Sequence, residues 1–160
     1  MATEKLKFKL ELYSTYWDKP PIAEIFLNEQ CHFNKEITGT EIQPTIITFE
    51  HTLKEGEKYQ LGINRWHKNA RQTVVTDNGM IVKDQLLHIK SIEIDEIDIG
   101  ALLYEGVYTP EYPEPWATQQ RQAGKELPES FKNVTTIGHN GRWVLSFESP
   151  FYMWLLENLY

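Results

Sequence analysis

Cysteine is almost absent from this chain of 160 residues, which contains only Cys31. A single thiol cannot form an intramolecular disulfide or supply a cysteine-based metal cluster, so both are excluded within one chain. No apolar run approaches the roughly 20 residues that a membrane-spanning helix needs. The first residues also lack the basic and apolar segments of a secretion signal, so we expect synthesis in a cytoplasm.

Basic residues are outnumbered by acidic ones, 16 to 23, and the formal net charge is −7. Proteins that bind nucleic acids or anionic membranes depend on clustered Lys and Arg, so we expect neither kind of partner. The hydrophobic content of 41% is ordinary for a globular protein. Aromatic residues make up 12% of the chain, with five Trp and eight Tyr, and they are its unusual feature.

The familiar catalytic motifs are missing as well. The chain contains no G-x-S-x-G, no phosphate-binding glycine loop and no H-E-x-x-H. The acidic run Glu93–Asp98 is interpreted as a solvated turn rather than a paired-carboxylate site. Asp77 and Asp84 are interpreted in the same way, because their spacing lacks the alternation of a calcium loop. We therefore predict no catalytic residue, no metal site and no cofactor. The histidines are scattered singly: His32, His51, His67, His88 and His139.

Strict alternation of apolar and polar residues predicts a half-buried strand over Lys5–Leu12. Ile22–Leu27 and Gln30–Ile37 predict a hairpin that turns at Asn28 and Glu29. Thr45–Leu53 and Lys58–Asn64 predict a second antiparallel pair, joined by a turn at residues 54–57.

Further turn signals follow. Asn78-Gly79 suits the positive φ of a tight hairpin, and a change of parity predicts a bulge near Lys90 and Ser91. Asp95 and Glu96 reverse the chain between Ile94 and Ile97.

The second half of the chain is more irregular. Residues 102–115 carry three prolines and three tyrosines, and they predict an ordered aromatic loop. Pro115 and Gly124 bracket a short helix near residues 115–123. A last strand over Arg142–Glu148 precedes a possible C-terminal helical arm. The fold class predicted is all-β, an antiparallel β-sandwich or jelly roll, divided into a domain of residues 1–148 and an apolar arm of residues 149–160.

The aromatic residues of the loops admit two interpretations. The favoured one is that they pack the loops onto the sandwich, with their polar tips at the surface. The alternative is a platform for sugar rings, which stack on flat aromatic faces. The candidates for glycan binding are Tyr16, Trp17, Trp66, Tyr108, Tyr112 and Trp116.

The C-terminal arm would form a helix with an apolar sector of roughly 200°, wider than one surface of a sandwich covers. Part of it should contact a partner, and absorption into its own core is an equal alternative. The candidates for a partner interface are Phe151, Tyr152, Trp154, Leu155, Leu159 and Tyr160.

Two stretches, Leu53–Ile63 and Ile22–Phe33, resemble the strand-turn-strand units of jelly-roll carbohydrate-binding modules of the calcium-dependent xylan-binding type. The calcium and sugar ligands of that family match no particular residues here. Residues 73–90, 112–120 and 149–160 resemble a group of small proteins encoded by tailed bacteriophages, and this second resemblance implies a virion or phage-accessory role.

The leading hypothesis is a non-enzymatic phage structural or accessory protein in the virion, synthesised in the host cytoplasm. It would bind other virion proteins, with a second copy of the chain and a host-surface glycan as further ligands. The alternatives are a free carbohydrate-binding module and a glycan-processing enzyme.

Overall fold

Two antiparallel sheets face each other in the computed structural model, which describes residues 2–69 and 72–159. The strands are β1 (Thr3–Thr15), β2 (Ile22–Leu27), β3 (Gln30–Glu36), β4 (Thr45–Lys54), β5 (Lys58–Trp66), β6 (Val74–Val75), β7 (Ile81–Lys83), β8 (Leu86–Ile94), β9 (Ile97–Asp98), β10 (Val107–Pro110), β11 (Thr136–Ile137) and β12 (Gly141–Glu148). The helices are α1 (Trp116–Gln122), α2 (Phe151–Leu159) and a 3-10 helix (Gly100–Glu105). No helix in the described part of the chain is long and apolar enough to cross a membrane.

Sheet A has the strand order β11-β8-β1-β4, with β9 paired to β8, and sheet B has the order β10-β12-β5-β2-β3. Strands β6 and β7 form a separate hairpin. The predicted antiparallel β-sandwich is therefore confirmed, as are the short helix near residues 115–123 and the C-terminal helix.

The core lies between the two sheets and follows the alternation in the sequence. In β1, Leu6, Phe8, Leu10 and Leu12 are fully buried, while the lysines between them face solvent. Phe49 is only partly buried and packs against the edge of the core. The core is completed by residues of β5, β8 and β12 that are also buried: Tyr59, Leu61, Ile63, Leu87, Ile89 and Phe147.

The bulge predicted in β8 is confirmed by the pairing with β1. Glu11 is opposite Ser91 while Leu12 is opposite Ile89, so Lys90 is the extra residue. The predicted reversal at Asp95 and Glu96 is also present, and both residues have positive φ values of 50° and 67°.

The pairing of β4 with β5 was wrong. β4 pairs with β1 in sheet A, whereas β5 pairs with β2 and β12 in sheet B. The turn between them crosses from one sheet to the other, and the Tyr59 hydroxyl accepts a hydrogen bond from the Lys54 amide there, at 2.7 Å. Alternation shows which face of a strand is buried. Strands of both sheets alternate in the same way, so alternation does not show which strand pairs with which.

The aromatic loop over residues 102–115 was also only partly correct. Its first part belongs to the 3-10 helix, and Val107–Pro110 forms β10 at the edge of sheet B. Pro110 is tolerated because it ends an edge strand, where a missing amide donor costs little.

Candidate functional site

The predicted aromatic candidates lie mostly at one end of the sandwich, in loops or at the ends of the strands and helix beside them. In sheet B, Ile22 at the start of β2 is opposite Trp66 at the end of β5, and Gly141 at the start of β12 is opposite Pro110 at the end of β10. The described parts of the connecting segments, residues 16–21, 67–69, 72–73, 111–116 and 138–140, therefore leave the sheets at the same end. We call this region the aromatic end and define it by Tyr16, Trp17, Trp66, Tyr112, Trp116 and His139.

Three rings of the aromatic end contact one another. The centroid of Tyr112 lies 6.1 Å from that of Trp116 and 5.3 Å from that of His139, and Trp116 and His139 are 5.5 Å apart. Trp116 remains 38% exposed. The Tyr112 hydroxyl donates a hydrogen bond to the Pro128 carbonyl at 2.6 Å, which holds that ring in place.

A second aromatic surface is formed by Trp17, which is 46% exposed. Its indole N–H donates to the Gln72 carbonyl at 3.0 Å, and the Lys83 ammonium lies 4.8 Å from the ring centroid. The Gln72 side-chain amide donates to Asp18 Oδ2 at 3.0 Å. Tyr16 beside it is exposed as well.

Arg65 supports these loops from inside the sandwich, where it is fully buried. Nη1 donates to the Ile137 carbonyl, and Nη2 donates to both the carbonyl and Oε1 of Gln85, each at 2.6 Å. Burial lowers the pKa of the Arg65 guanidinium from its usual range to about 10, so it stays a cation at neutral pH. One arginine thus joins β5 to segments at the ends of β8 and β11.

A half-buried ion pair lies beside Arg65. The Lys68 ammonium is 2.7 Å from Asp84 Oδ1, which also accepts hydrogen bonds from the Thr73 hydroxyl and the Gln85 amide. Burial alone would raise the pKa of Asp84, but these hydrogen bonds outweigh it and the pKa is lowered. Burial lowers the pKa of Lys68 despite its partner. Asp84 Oδ1 therefore holds Lys68, Thr73 and Gln85 together.

Asn140 connects this frame to the ring cluster. Its Oδ1 accepts from the Lys68 amide at 2.9 Å and its Nδ2 donates to the Lys68 carbonyl at 3.0 Å. The neighbouring His139 carbonyl accepts from the Tyr108 hydroxyl at 2.7 Å, and that hydroxyl accepts from the His139 amide at 3.0 Å. The pKa of His139 is lowered by burial and by the nearby cations of Lys68 and Arg65.

A groove of about 650 Å³ adjoins the ring cluster, between β10 and α1. Its charged residues are Glu111, Glu114, Glu129 and Arg121, and Tyr112 lines it as well. We call it the acidic groove. All four charged side chains are exposed. Sequence reasoning missed this groove, because only folding brings residue 129 beside residues 111–121.

The six candidates for glycan binding differ in how far they are exposed to solvent. Tyr16, Trp17 and Trp116 are exposed, while Trp66 and Tyr112 are half-buried. Tyr108 is buried and its hydroxyl is used by His139, so it serves packing. His139 was not among the candidates, although its ring completes the cluster.

The partner-interface candidates divide along α2. Phe151 and Leu155 are buried in the protein's own core, and Trp154 packs against it. Tyr152 and Leu159 are each 46% exposed, and Met153 and Leu156 are exposed beside them. Tyr160 lies outside the described residues.

The start of α2 is attached to the sandwich by hydrogen bonds. Glu4 Oε2 in β1 accepts from the Phe151 amide at 2.9 Å and from the Ser149 hydroxyl. The Tyr152 hydroxyl donates to Asp95 Oδ2 at 3.1 Å. The helix is thus fixed in place with one face on the core and the other in solvent.

The chain is similar to a solved structure described as "vCBM60 in complex with galactobiose", with 7% identity, a TM-score of 0.49, and coverage of 87% of this chain and 96% of that chain. No protein-family model matches the chain, and no curated protein matches it.

Proposed function

We propose that this protein is a non-catalytic glycan-binding module that holds sugar rings at its aromatic end. The observation that carries the proposal is the cluster of Tyr112, Trp116 and His139, whose rings lie 5.3 to 6.1 Å apart and remain partly open to solvent. Flat aromatic faces offer large apolar contact areas at little conformational cost. The hydrogen-bonded frame of Arg65 and Lys68 holds the loops before a ligand arrives, which reduces the entropy lost on binding.

The acidic groove supplies the polar half of such a site. Sugar hydroxyls both donate and accept hydrogen bonds, and the carboxylates of Glu111, Glu114 and Glu129 accept them while Arg121 donates. A binding site with aromatic surfaces and a few convergent polar groups is the usual arrangement for small ligands. A glycan chain would lie from Trp116 into this groove.

The proposal assigns no catalytic role to the acidic groove, because its carboxylates are exposed. A glycosidase needs a general acid in a desolvated environment across the scissile bond from a second carboxylate. The glutamates of the acidic groove are all exposed to solvent. Incubating the protein with each bound glycan and recording the products by mass spectrometry should show uncleaved sugar; released shorter chains would establish an enzyme instead.

A glycan array tests the binding site. The wild-type protein should bind, and Trp116→Ala and Tyr112→Ala should each weaken binding roughly ten- to a hundredfold, as losing an aromatic anchor does. Tyr104→Ala is the matched control, since Tyr104 is also exposed but lies on the 3-10 helix. Wild-type affinity in Trp116→Ala would refute the proposed site.

We also propose a second function, attachment to other proteins through the exposed face of α2. This proposal keeps the virion or phage-accessory role that the sequence resemblance implies, with other virion proteins or a second copy as the partner. It is supported by Met153 and Leu156, which are 59% and 62% exposed on a helix that the body of the protein holds rigidly. Solvent-exposed apolar side chains grouped on one face are characteristic of interaction sites.

Deleting the arm would not test this second function, because Phe151 and Leu155 belong to the core. The double variant Met153→Gln, Leu156→Gln changes only exposed side chains. It should fold normally yet fail to join purified particles or to associate in light scattering. Ile42→Gln, at a position 90% exposed elsewhere, is the control. Normal assembly of the double variant would exclude α2 as an interface.

A further inference from the structure

Two histidines from strands of different sheets meet at one edge of the sandwich. β3 is the edge strand of sheet B and β4 is the edge strand of sheet A. His32 Nε2 in β3 lies 3.1 Å from His51 Nδ1 in β4. Both rings are half-buried. This contact joins the two sheets where their edge strands β3 and β4 face each other.

The position of His32 depends on an irregularity of β3. Ile25 is opposite Phe33 and Phe26 is opposite Cys31, so His32 is the extra residue of a bulge. A bulge redirects a side chain that regular alternation would place elsewhere. The His32 ring stacks on Phe49, with centroids 4.2 Å apart and planes 12° from parallel.

His51 reaches the same place by regular alternation. It lies between Phe49 and Leu53 on the inward side of β4 and is opposite Leu6 of β1. Phe49 in turn stacks on Phe8 of the core, with centroids 4.9 Å apart. Both imidazoles are therefore held by packed neighbours rather than by flexible loops.

We propose that His32 and His51 form a two-histidine site for a divalent transition metal such as Zn²⁺ or Ni²⁺. Zinc–nitrogen bonds are about 2.0–2.1 Å long, so two imidazole nitrogens on one tetrahedral ion lie roughly 3.3 Å apart. The observed separation of 3.1 Å is close to this distance. Each ring must also turn, so that its lone pair points at the ion instead of along the line between the two nitrogens. Imidazole is the side chain that this class of metal prefers among neutral ligands.

Metal binding at this site requires one histidine ring to change its tautomer, and no proton is gained or lost. One proton now lies between the two facing nitrogens, and it moves to the far nitrogen of its own ring. Metal then takes the lone pairs of His32 Nε2 and His51 Nδ1, and both rings stay neutral. Among the described residues, no group of three or more His, Cys, Asp and Glu side chains could hold a metal ion, so water completes the coordination.

This site departs from the absence of metal sites predicted from the sequence. The two ligands are 19 residues apart on strands of different sheets, and no spacing motif connects them. Metal would join the edges of the two sheets, and a ligand that binds only the folded state stabilises it by mass action.

Thermal unfolding with and without millimolar ZnCl₂ or NiCl₂ tests the site. Binding should raise the wild-type Tm by roughly 5 °C or more once the metal is a hundredfold above its Kd. His32→Ala and His51→Ala should each abolish the shift. His67→Asn and Cys31→Ser, which alter an exposed histidine and the exposed thiol, should keep it.

NMR of the histidine rings in the wild-type protein provides a measurement that needs no variant. Substoichiometric Ni²⁺ should broaden the ring signals of His32 and His51 before those of His67, His88 and His139. The absence of any Tm shift in the wild type, a shift that survives His51→Ala, or equal broadening of all five histidines would overturn the proposal.

Discussion

Arg65→Met is the most informative perturbation of the frame below the aromatic end. The methionine keeps much of the length and apolar volume of the arginine but has no charge and no donor. The Ile137 carbonyl, the Gln85 carbonyl and Gln85 Oε1 would each lose a partner that now lies 2.6 Å away. Buried acceptors that lose their donors carry the full cost of their desolvation.

The expected loss is the balance of two opposing effects. Each hydrogen bond to a charged group contributes about 1.5–3 kcal/mol. Burying the guanidinium opposes this gain, because lowering its pKa from its usual range to about 10 corresponds to a cost on the order of 3 kcal/mol. The gain from three such hydrogen bonds, less the cost of burying the guanidinium, is about 2–6 kcal/mol. We expect Arg65→Met to lower the free energy of unfolding by that amount.

Equilibrium urea unfolding followed by tryptophan fluorescence measures this change, with the m value unaltered. Arg142→Met is the matched control, since Arg142 is half-buried in the neighbouring strand and lies over Gly62 with its Nε unpaired. It should cost no more than about 1 kcal/mol. If Arg65→Met unfolds at the wild-type midpoint, the frame does not depend on Arg65 and the reasoning fails.

Three other predictions concern the core and pH. Gly106→Ala should lower stability by about 3 kcal/mol or more, measured by thermal denaturation, because its Cβ would lie 2.2 Å from ring atoms of the fully buried Trp143. Leu61→Ala, at a fully buried position, should cost roughly 2–5 kcal/mol in urea unfolding; a smaller loss would mean that the site collapses. The lowered pKa of His139 means that the unfolded chain takes up its proton first, so stability is full above the unfolded pKa of about 6.5 and falls as pH drops below it. His139→Gln should make the decline between about pH 7.5 and 5.5 shallower; an unchanged slope would contradict this.

The sequence predicted local structure well where the prediction depended on the pattern of apolar residues within one strand. The alternation in β1 identified Leu6 and Phe8 as core residues, and the change of parity in β8 located the bulge at Lys90. These features depend on neighbours within one strand, which the sequence shows directly.

Strand partners and buried polar groups were harder to predict. β4 and β5 have similar alternation, and no residue in either indicates that they lie in different sheets. Arg65 did carry a signal, because it shares the inward parity of Leu61 and Ile63 in β5. A charged residue in an apolar register implies a buried hydrogen-bonding network, although the partners Gln85 and Ile137 could not be identified from the sequence.

The two interpretations of the aromatic residues make different demands on burial. An aromatic that serves packing alone should be buried with its polar atom paired, and Tyr108 meets both conditions. Trp17 and Trp116 do not, because 46% and 38% of their surfaces stay exposed after the loops have packed. A hydrogen-bonded frame holds the loops that carry these indole rings. Their exposed apolar surface is still available for burial against a ligand. The packing interpretation therefore explains Tyr108, whereas the exposed ring of Trp116 is the one on which the proposed glycan site depends.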